Sequence, residues 1–273
     1  MKVTILDGYN LIHRARHSTP KWIRDSQHSI VFTFFRSLRP LIEKFEADKV
    51  YFVLEGTPKW RLEAFPDYKG TRPQDDDALF HEQKNIIIDL LASYFPIIVT
   101  KHPDFECDDV IGHLAERVHK EDECTVVSSD TDFIQLLNRC KNVKLYNPIK
   151  KSFIENTEYD YVAWKALAGD SSDNIDGFRG IGKKRAIGLL EDESKLKEFL
   201  DKSSERKEKF ERNIFLINFH DLSNHSAEII FSTTNANWNT IKEKFEDFKF
   251  ESILKEKTWT KFVDTFSNLQ GVN

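Results

Sequence analysis

The chain has 273 residues, 40% of them hydrophobic and 31% charged, with a net charge of −5. That length suits one large domain or two modest ones, and no run approaches the ~20 apolar residues that span a bilayer. The start, MKVTILDGYNLIHR, has only a short apolar run broken by Asp7, so neither a signal peptide nor a membrane partner is expected.

Residues 2–6 (KVTIL) read as a short strand ending at Asp7-Gly8. Residues 30–46 carry helical spacing through Ile30, Phe34, Leu38, Leu41, Ile42 and Phe45. A second buried strand at 49–54 (KVYFVL) ends at Glu55-Gly56. Roughly forty residues separate it from the next strand, long for a simple crossover. In this stretch PKWRLEAFPDYKGTR (58–72) interleaves Lys59, Arg61, Lys69 and Arg72 with Trp60, Phe65 and Tyr68. Cations with stacking aromatics suit single-stranded nucleic acid; a solvated loop with a few packed aromatics fits the same residues equally well.

Residues 82–95 read as a helix and 97–100 (IIVT) as a strand. A helix at 107–119 opens on FECDDV, with Glu106, Asp108 and Asp109; Glu106 and Asp109 share a face. Strand 124–128 (CTVVS) runs into SSDTDF, with Asp130 and Asp132, and a helix at 132–138. Residues 143–146 form a fifth strand. Strands alternating with helices predict a parallel α/β sheet, and ligands bind such sheets beyond the strand C-termini. From about 158 the pattern is helical: 159–168, 182–191, 194–200 and 208–222. Between the first two lie GDSSDN, with Asp170 and Asp173, and GFRGIGKKRA (177–186). The last fifty residues read as helices and loops with little signal.

Each acidic motif has a plain reading as a turn or a helix N-cap. Together, nine carboxylates (Asp7, Glu55, Glu106, Asp108, Asp109, Asp130, Asp132, Asp170, Asp173) at strand ends and helix starts exceed what capping requires. Gathered in one place they need cations, and oxygen ligands select Mg²⁺ or Mn²⁺. Removing those nine charges from the net −5 leaves the rest of the chain at +4, mildly basic. In the glycine-rich piece, Gly180 and Gly182 allow close backbone approach. Amides at the following helix start, with Lys183, Lys184 and Arg185, bind phosphate. Cys107, Cys124 and Cys140 are odd in number without CxxC spacing, which argues against disulfides and zinc and suits a reducing cytoplasm. A phosphatase with its nucleophilic Asp after the first strand is disfavoured, because the second Asp it needs is here Tyr9.

In this order, LDGYNLIHR, RLEAFPDYKGTR, ECDD, SSDTDF and LAGDSSDNIDGFRGIGKKRA resemble the 5′-nuclease family over residues 2–222. That family includes phage 5′-exonucleases, flap endonucleases and the N-terminal domain of bacterial DNA polymerase I. The resemblance implies an α/β fold with a parallel-sheet, PIN-like or Rossmann-like nuclease core over 1–157. An arch at about 57–95 passes a single 5′ strand. A helical DNA-binding subdomain of the helix-hairpin-helix type spans 158–273, with its hairpin at 177–191. It implies two divalent ions: Asp7, Glu106, Asp108, Asp130 and Asp132 hold one, Asp109 is a further acid of that run, and Asp170 and Asp173 help hold the second. It matches Arg14 and Lys69 to basic residues that engage the scissile phosphate, Arg72 to a nearby cation, Tyr68 to an aromatic near the substrate entrance, and residues 177–186 to the hairpin that grips the duplex backbone; Lys59 and Arg61 of the basic-aromatic stretch are expected as further DNA contacts. The hairpin of such proteins often also carries a monovalent cation, K⁺.

The implied activity is 5′-3′ exonuclease or flap endonuclease on DNA in replication or repair, giving a 5′-phosphate and a 3′-hydroxyl. A 5′ end or flap is the substrate, with RNA–DNA hybrid open; a polymerase partner would be a separate chain, and a monomer is the default. The setting is the cytoplasm, of a bacterium or of a phage host. One departure is Glu55, where the family usually has Asp. It makes a catalytically weakened DNA-binding relative the alternative reading.

Overall fold

The computed structural model describes residues 1–20, 26–73, 75–232 and 236–271. Its main sheet has seven strands: β1 (Lys2–Asp7), β2 (Lys49–Val53), β3 (Ile98–Lys101), β4 (Glu123–Val127), β5 (Val143–Asn147), β6 (Ser152–Ile154) and β9 (Ile230–Phe231). Their order across the sheet is β6-β5-β4-β1-β2-β3-β9. β1 to β5 pair parallel, and β6 and β9 close the edges antiparallel. The central strands are near-continuous apolar runs because both faces are covered. The register sets Leu6 beside Phe52 and Val127, so the ends of β1, β2 and β4 lie level at one edge.

One face carries α1 (Gly8–Ser18), α2 (Ser29–Phe45) and α4 (Ala78–Tyr94), packed through Phe34, Phe35, Phe52, Leu91 and Phe95. The other carries α5 (Cys107–His113), continued by one wider turn to Val118, and α6 (Ile134–Arg139), packed through Val110, Ile111, Leu114, Phe133 and Leu136. Short α3 (Lys59–Ala64) lies in the segment between β2 and α4. Beyond the sheet come α7 (Tyr161–Ala168), the two-residue strands β7 (Gly169–Asp170) and β8 (Ile175–Asp176), then α8 (Lys183–Leu190), α9 (Glu193–Leu200) and α10 (Ser204–Ile217). Tyr68, Val162, Ala166, Leu216 and Ile217 form a separate cluster that ties the 59–72 segment to α7 and α10.

Two expectations change. The arch was placed at 57–95, but α4 buries Phe80, Ile87, Leu90 and Leu91 in the main core. Only the stretch before it stands apart from that core. The segment 158–273 was expected to be one helical subdomain. Instead β9 joins the sheet, and α11 (Trp238–Asp247), α12 (Glu251–Leu254) and α13 (Glu256–Ser267) cover α2 and α4. Phe245 meets Phe35 and Phe266 meets Phe95, with ring centroids 5.2 and 5.3 Å apart. The apolar outer faces of α2 and α4 need a cover, and the aromatic residues of α11 and α13 supply it.

Candidate metal centre

Asp7 ends β1 and caps α1: its carboxylate accepts from the Asn10 amide at 3.1 Å and from Ser128 Oγ at 2.7 Å. Burial holds its pKa up to about 6. Glu55 follows β2. The next residue must be glycine, because a Cβ on Gly56 would stand 1.9 Å from the His102 carbonyl oxygen. That close passage sets Glu55 beside the start of α5, where Cys107 N donates to its carboxylate at 3.3 Å. Burial, then the charge of Glu106, pushes Glu55 up to about 7.

Glu106 caps α5 and is buried. It faces three donors from the segment before α4: Arg61 Nη1 at 2.9 Å, Tyr68 Oη at 3.0 Å, and Lys69 Nζ in direct contact. Asp108 is held well above the carboxylate range by burial and by the charges of Asp130, Glu55 and Asp7. Asp130 follows β4 and accepts from the Asp132 amide at 2.9 Å. Asp132 rises to about 6 through burial, against the pull of Lys165. Asp132, Asp170 and Asp173 each offer an oxygen within 4.8 Å of the others.

Four cations face these acids. Lys69, in a left-handed backbone conformation (φ 56°), reaches Glu106 and lies 3.9 Å from Asp173. Arg72 pairs with Asp173 at 2.5 Å. Arg61 contacts Glu106 as described. Lys165 of α7 bridges Asp132 and Asp170, 2.6 Å from the latter. Burial raises Asp170, but Lys165 and the Ser172 hydrogen bonds outweigh it and leave it below its ordinary value. The result is a cleft of about 310 Å³ lined by Lys69, Arg72, Asp108, Asp130, Asp132, Lys165, Asp170, Asp173 and Lys183. Several carboxylates pushed toward neutrality by burial, and further by one another's charge, are a donor set that a bound cation would stabilise in its ionised form. Hard divalent cations with oxygen preference fit it.

Five of the nine acids read from the sequence, Asp108, Asp130, Asp132, Asp170 and Asp173, line this cleft, and Asp7, Glu55 and Glu106 lie behind it within reach of their charges. Asp109 does not join them. It is fully buried, and four donors fill its lone pairs: Arg61 Nη1 (2.6 Å) and Glu106 N (3.2 Å) on one oxygen, Arg61 Nη2 (2.8 Å) and His220 N (2.8 Å) on the other. Arg61, expected to contact DNA, is its buried partner and has no surface to offer. Tyr68, expected at the entrance, is also buried, with its hydroxyl aimed at Glu106 and Asp173. Arg14 is half-buried on α1 and is not among the residues lining the cleft. Lys59 is exposed, 3.5 Å from Asp104.

Gly180 has the left-handed backbone its turn requires (φ 78°), and Gly182 caps α8. Arg185 folds back onto the Gly180 carbonyl at 2.8 Å, while Lys183 and Lys184 are exposed. Sequence reasoning missed Lys165. The signal was its place five residues before Asp170 on α7, but a lysine in a helix reads as a solvated face unless the bend after Ala168 is known.

Family models describing the 5′-3′ exonuclease N-terminal resolvase-like domain and the 5′-3′ exonuclease C-terminal SAM fold match residues 2–166 and 157–256. The chain is 28% identical over 277 residues to a protein named 5′-3′ exonuclease from Aquifex aeolicus (strain VF5), covering 92% of this chain and 93% of that one. It is 34% identical over 202 residues to DNA polymerase I of Treponema pallidum (strain Nichols), covering 68% of this chain but only 20% of the polymerase. The fold superposes on the bacteriophage T5 D15 protein co-crystallised with metal ions with a TM-score of 0.67 at 20% identity, over 80% of this chain and 90% of that one. Among the described residues no helix is long and apolar enough to cross a membrane.

Proposed function

Because the chain belongs to the 5′-3′ exonuclease family, we propose that it is a divalent-metal-dependent 5′-nuclease that hydrolyses DNA phosphodiesters at 5′ ends or flaps. The observation that carries this reading is one cleft lined by five carboxylates and the cations Lys69, Arg72 and Lys165, with Asp7, Glu55 and Glu106 close behind it. Asp7, Glu106, Asp108, Asp130 and Asp132 would hold one Mg²⁺ or Mn²⁺ ion, directly or through water, and Asp170 and Asp173, with Asp132 close by, a second. When bound, such ions polarise an attacking water and neutralise charge on the leaving oxygen.

The chain's own side chains do the rest. Lys69 and Arg72 project from the segment between β2 and α4, and Lys165 from α7, so positive charge meets a phosphate from two sides. Fixed cations in a confined cleft stabilise charge that develops on the phosphate oxygens. Ser128 and the Asn10 amide keep Asp7 aimed into the site. Glu55, one methylene longer than the family's usual Asp, still reaches the cluster.

DNA as substrate is supported by the α8 N-terminus, where free amides and exposed Lys183 and Lys184 meet a phosphate backbone. Lys183 also lines the cleft, which joins this grip to the acidic centre. Residues 1–157 supply most of the catalytic layer, Lys165, Asp170 and Asp173 complete it from beyond that boundary, and the helices around 177–217 act as the grip; K⁺ in the 177–186 turn belongs to the same proposal. Replication or repair beside a separate polymerase, in the cytoplasm and as a monomer, is the setting this reading favours.

The test is product analysis on a 5′-labelled flap duplex with Mn²⁺ or Mg²⁺. Short 5′ fragments ending in 3′-hydroxyl, and a remaining strand that ligase can join through its 5′-phosphate, are expected. Tight binding with no product in either metal would instead favour the catalytically weakened DNA-binding relative.

A further inference from the structure

Arg61 lies on α3, in a stretch whose sequence also fits a solvated loop, yet its side chain is 3% exposed. Four hydrogen bonds and one further ion pair hold its guanidinium. Nε donates to the Leu216 carbonyl at 2.8 Å, and Nη2 to Asp109 Oδ1 at 2.8 Å and the Asn218 carbonyl at 2.9 Å. Nη1 meets Asp109 Oδ2 at 2.6 Å and Glu106 Oε2 at 2.9 Å. One guanidinium therefore joins α3, Glu106 and Asp109 at the start of α5, and two carbonyls at the end of α10. Asp109 completes the frame by accepting from the Glu106 and His220 amides.

We propose that Arg61 and Asp109 are a positioning pair for the metal centre: Asp109 fixes Arg61, and Arg61 fixes the carboxylate of Glu106. This rests on the reading of Glu106 as a metal ligand. Glu106 has two other partners, and they differ in kind. Lys69 is on a segment that stands apart from the main core and lines the cleft, so it is placed to turn toward a substrate phosphate. Tyr68 shares its hydroxyl with Asp173. Arg61 alone is locked by a buried bidentate carboxylate and two backbone carbonyls, so it is the partner that stays. The pair holds Oε2 of Glu106 and leaves Oε1 to Lys69, which lines the cleft. Hydrogen-bond partners behind a ligating carboxylate typically contribute about 10–100-fold to metal affinity.

The test is calorimetric titration of the metal-free protein with Mn²⁺, without DNA, beside thermal unfolding of the same samples. Arg61→Met/Asp109→Leu removes the pair without leaving a buried charge. Arg61→Lys keeps the charge but not the fork. We expect both variants to melt cooperatively and Mn²⁺ affinity to fall about 10–100-fold, with less stabilisation by added metal. A purely structural pair would lower the melting temperature and leave Mn²⁺ affinity unchanged, and that result overturns the inference. If the double variant does not fold, Arg61→Lys decides alone: wild-type affinity in it overturns the inference equally. Failure of wild-type protein to bind Mn²⁺ would instead sink the nuclease reading on which the inference rests.

Discussion

Glu55→Gln isolates the cost of packing ionised carboxylates into the cleft. In the folded chain Glu55 titrates near 7 rather than 4.5, because burial and the Glu106 charge disfavour its ionised form. A group whose pKa rises on folding gives stability that is complete below its unfolded value and is lost as pH climbs through its folded one. Each pH unit between the two is worth about 1.36 kcal/mol, so the ionised side chain costs the metal-free protein up to about 3 kcal/mol at pH 8. Glutamine keeps the acceptor for Cys107 N and never ionises. Urea unfolding in EDTA should therefore find the variant and wild type equally stable near pH 4. The variant should gain steadily above that, reaching up to about 3 kcal/mol at pH 8. Taking the difference between the two proteins cancels the histidines, whose lowered pKa values work in the opposite direction. Saturating Mg²⁺ should erase or reverse the gain, since the ionised ligand is then paired. A variant equal to or weaker than wild type at pH 8 in EDTA would show that Glu55 is not held in the repulsive cluster.

Lys69→Ala and Lys165→Ala should each slow cleavage by about 10²–10³ under single-turnover conditions while duplex affinity barely changes; an unaltered rate removes that residue from the phosphate site. Lys183→Ala/Lys184→Ala should weaken duplex binding and lower the slope of log affinity against log salt by about 2, read by fluorescence anisotropy across salt concentrations. An unchanged slope would mean that these lysines do not touch phosphate. Phe245→Ala should destabilise the whole protein by about 3–5 kcal/mol in one cooperative transition, because its ring packs into the main core against Phe35. A separate early melting step would show that α11–α13 form an independent unit.

Much of the centre was legible because strand ends carry local signals. KVTILDG, KVYFVLEG and CTVVSSD each join a buried apolar run to a turn, and parallel pairing then brings Asp7, Glu55 and Asp130 to one edge. The acids of α5 and the β7–β8 turn were legible by composition. What was not legible depends on which way a helix faces. Arg61 and Asp109 looked like a nucleic-acid contact and a ligand, since nothing local shows that their helices turn these side chains toward each other. Lys165 was not singled out for the same reason. The α1 helix was missed because a strand ending in Asp-Gly also reads as a turn, whereas here Asp7 caps a helix directly. The last fifty residues carried little signal and no sign of which surface they cover; that is decided by the apolar faces left open on α2 and α4.

On the proposed function, the carboxylate cleft performs metal-dependent hydrolysis at a 5′ end. The most direct measurement is the single-turnover cleavage rate of a labelled 5′-flap duplex in Mg²⁺ and in EDTA, for wild type and Asp130→Asn. Asp130 is exposed at the cleft, so its loss perturbs folding little. The account predicts cleavage near the flap junction in Mg²⁺, none in EDTA, and a large loss in Asp130→Asn with DNA binding intact. Cleavage that persists in EDTA, or at a wild-type rate in Asp130→Asn, would contradict it.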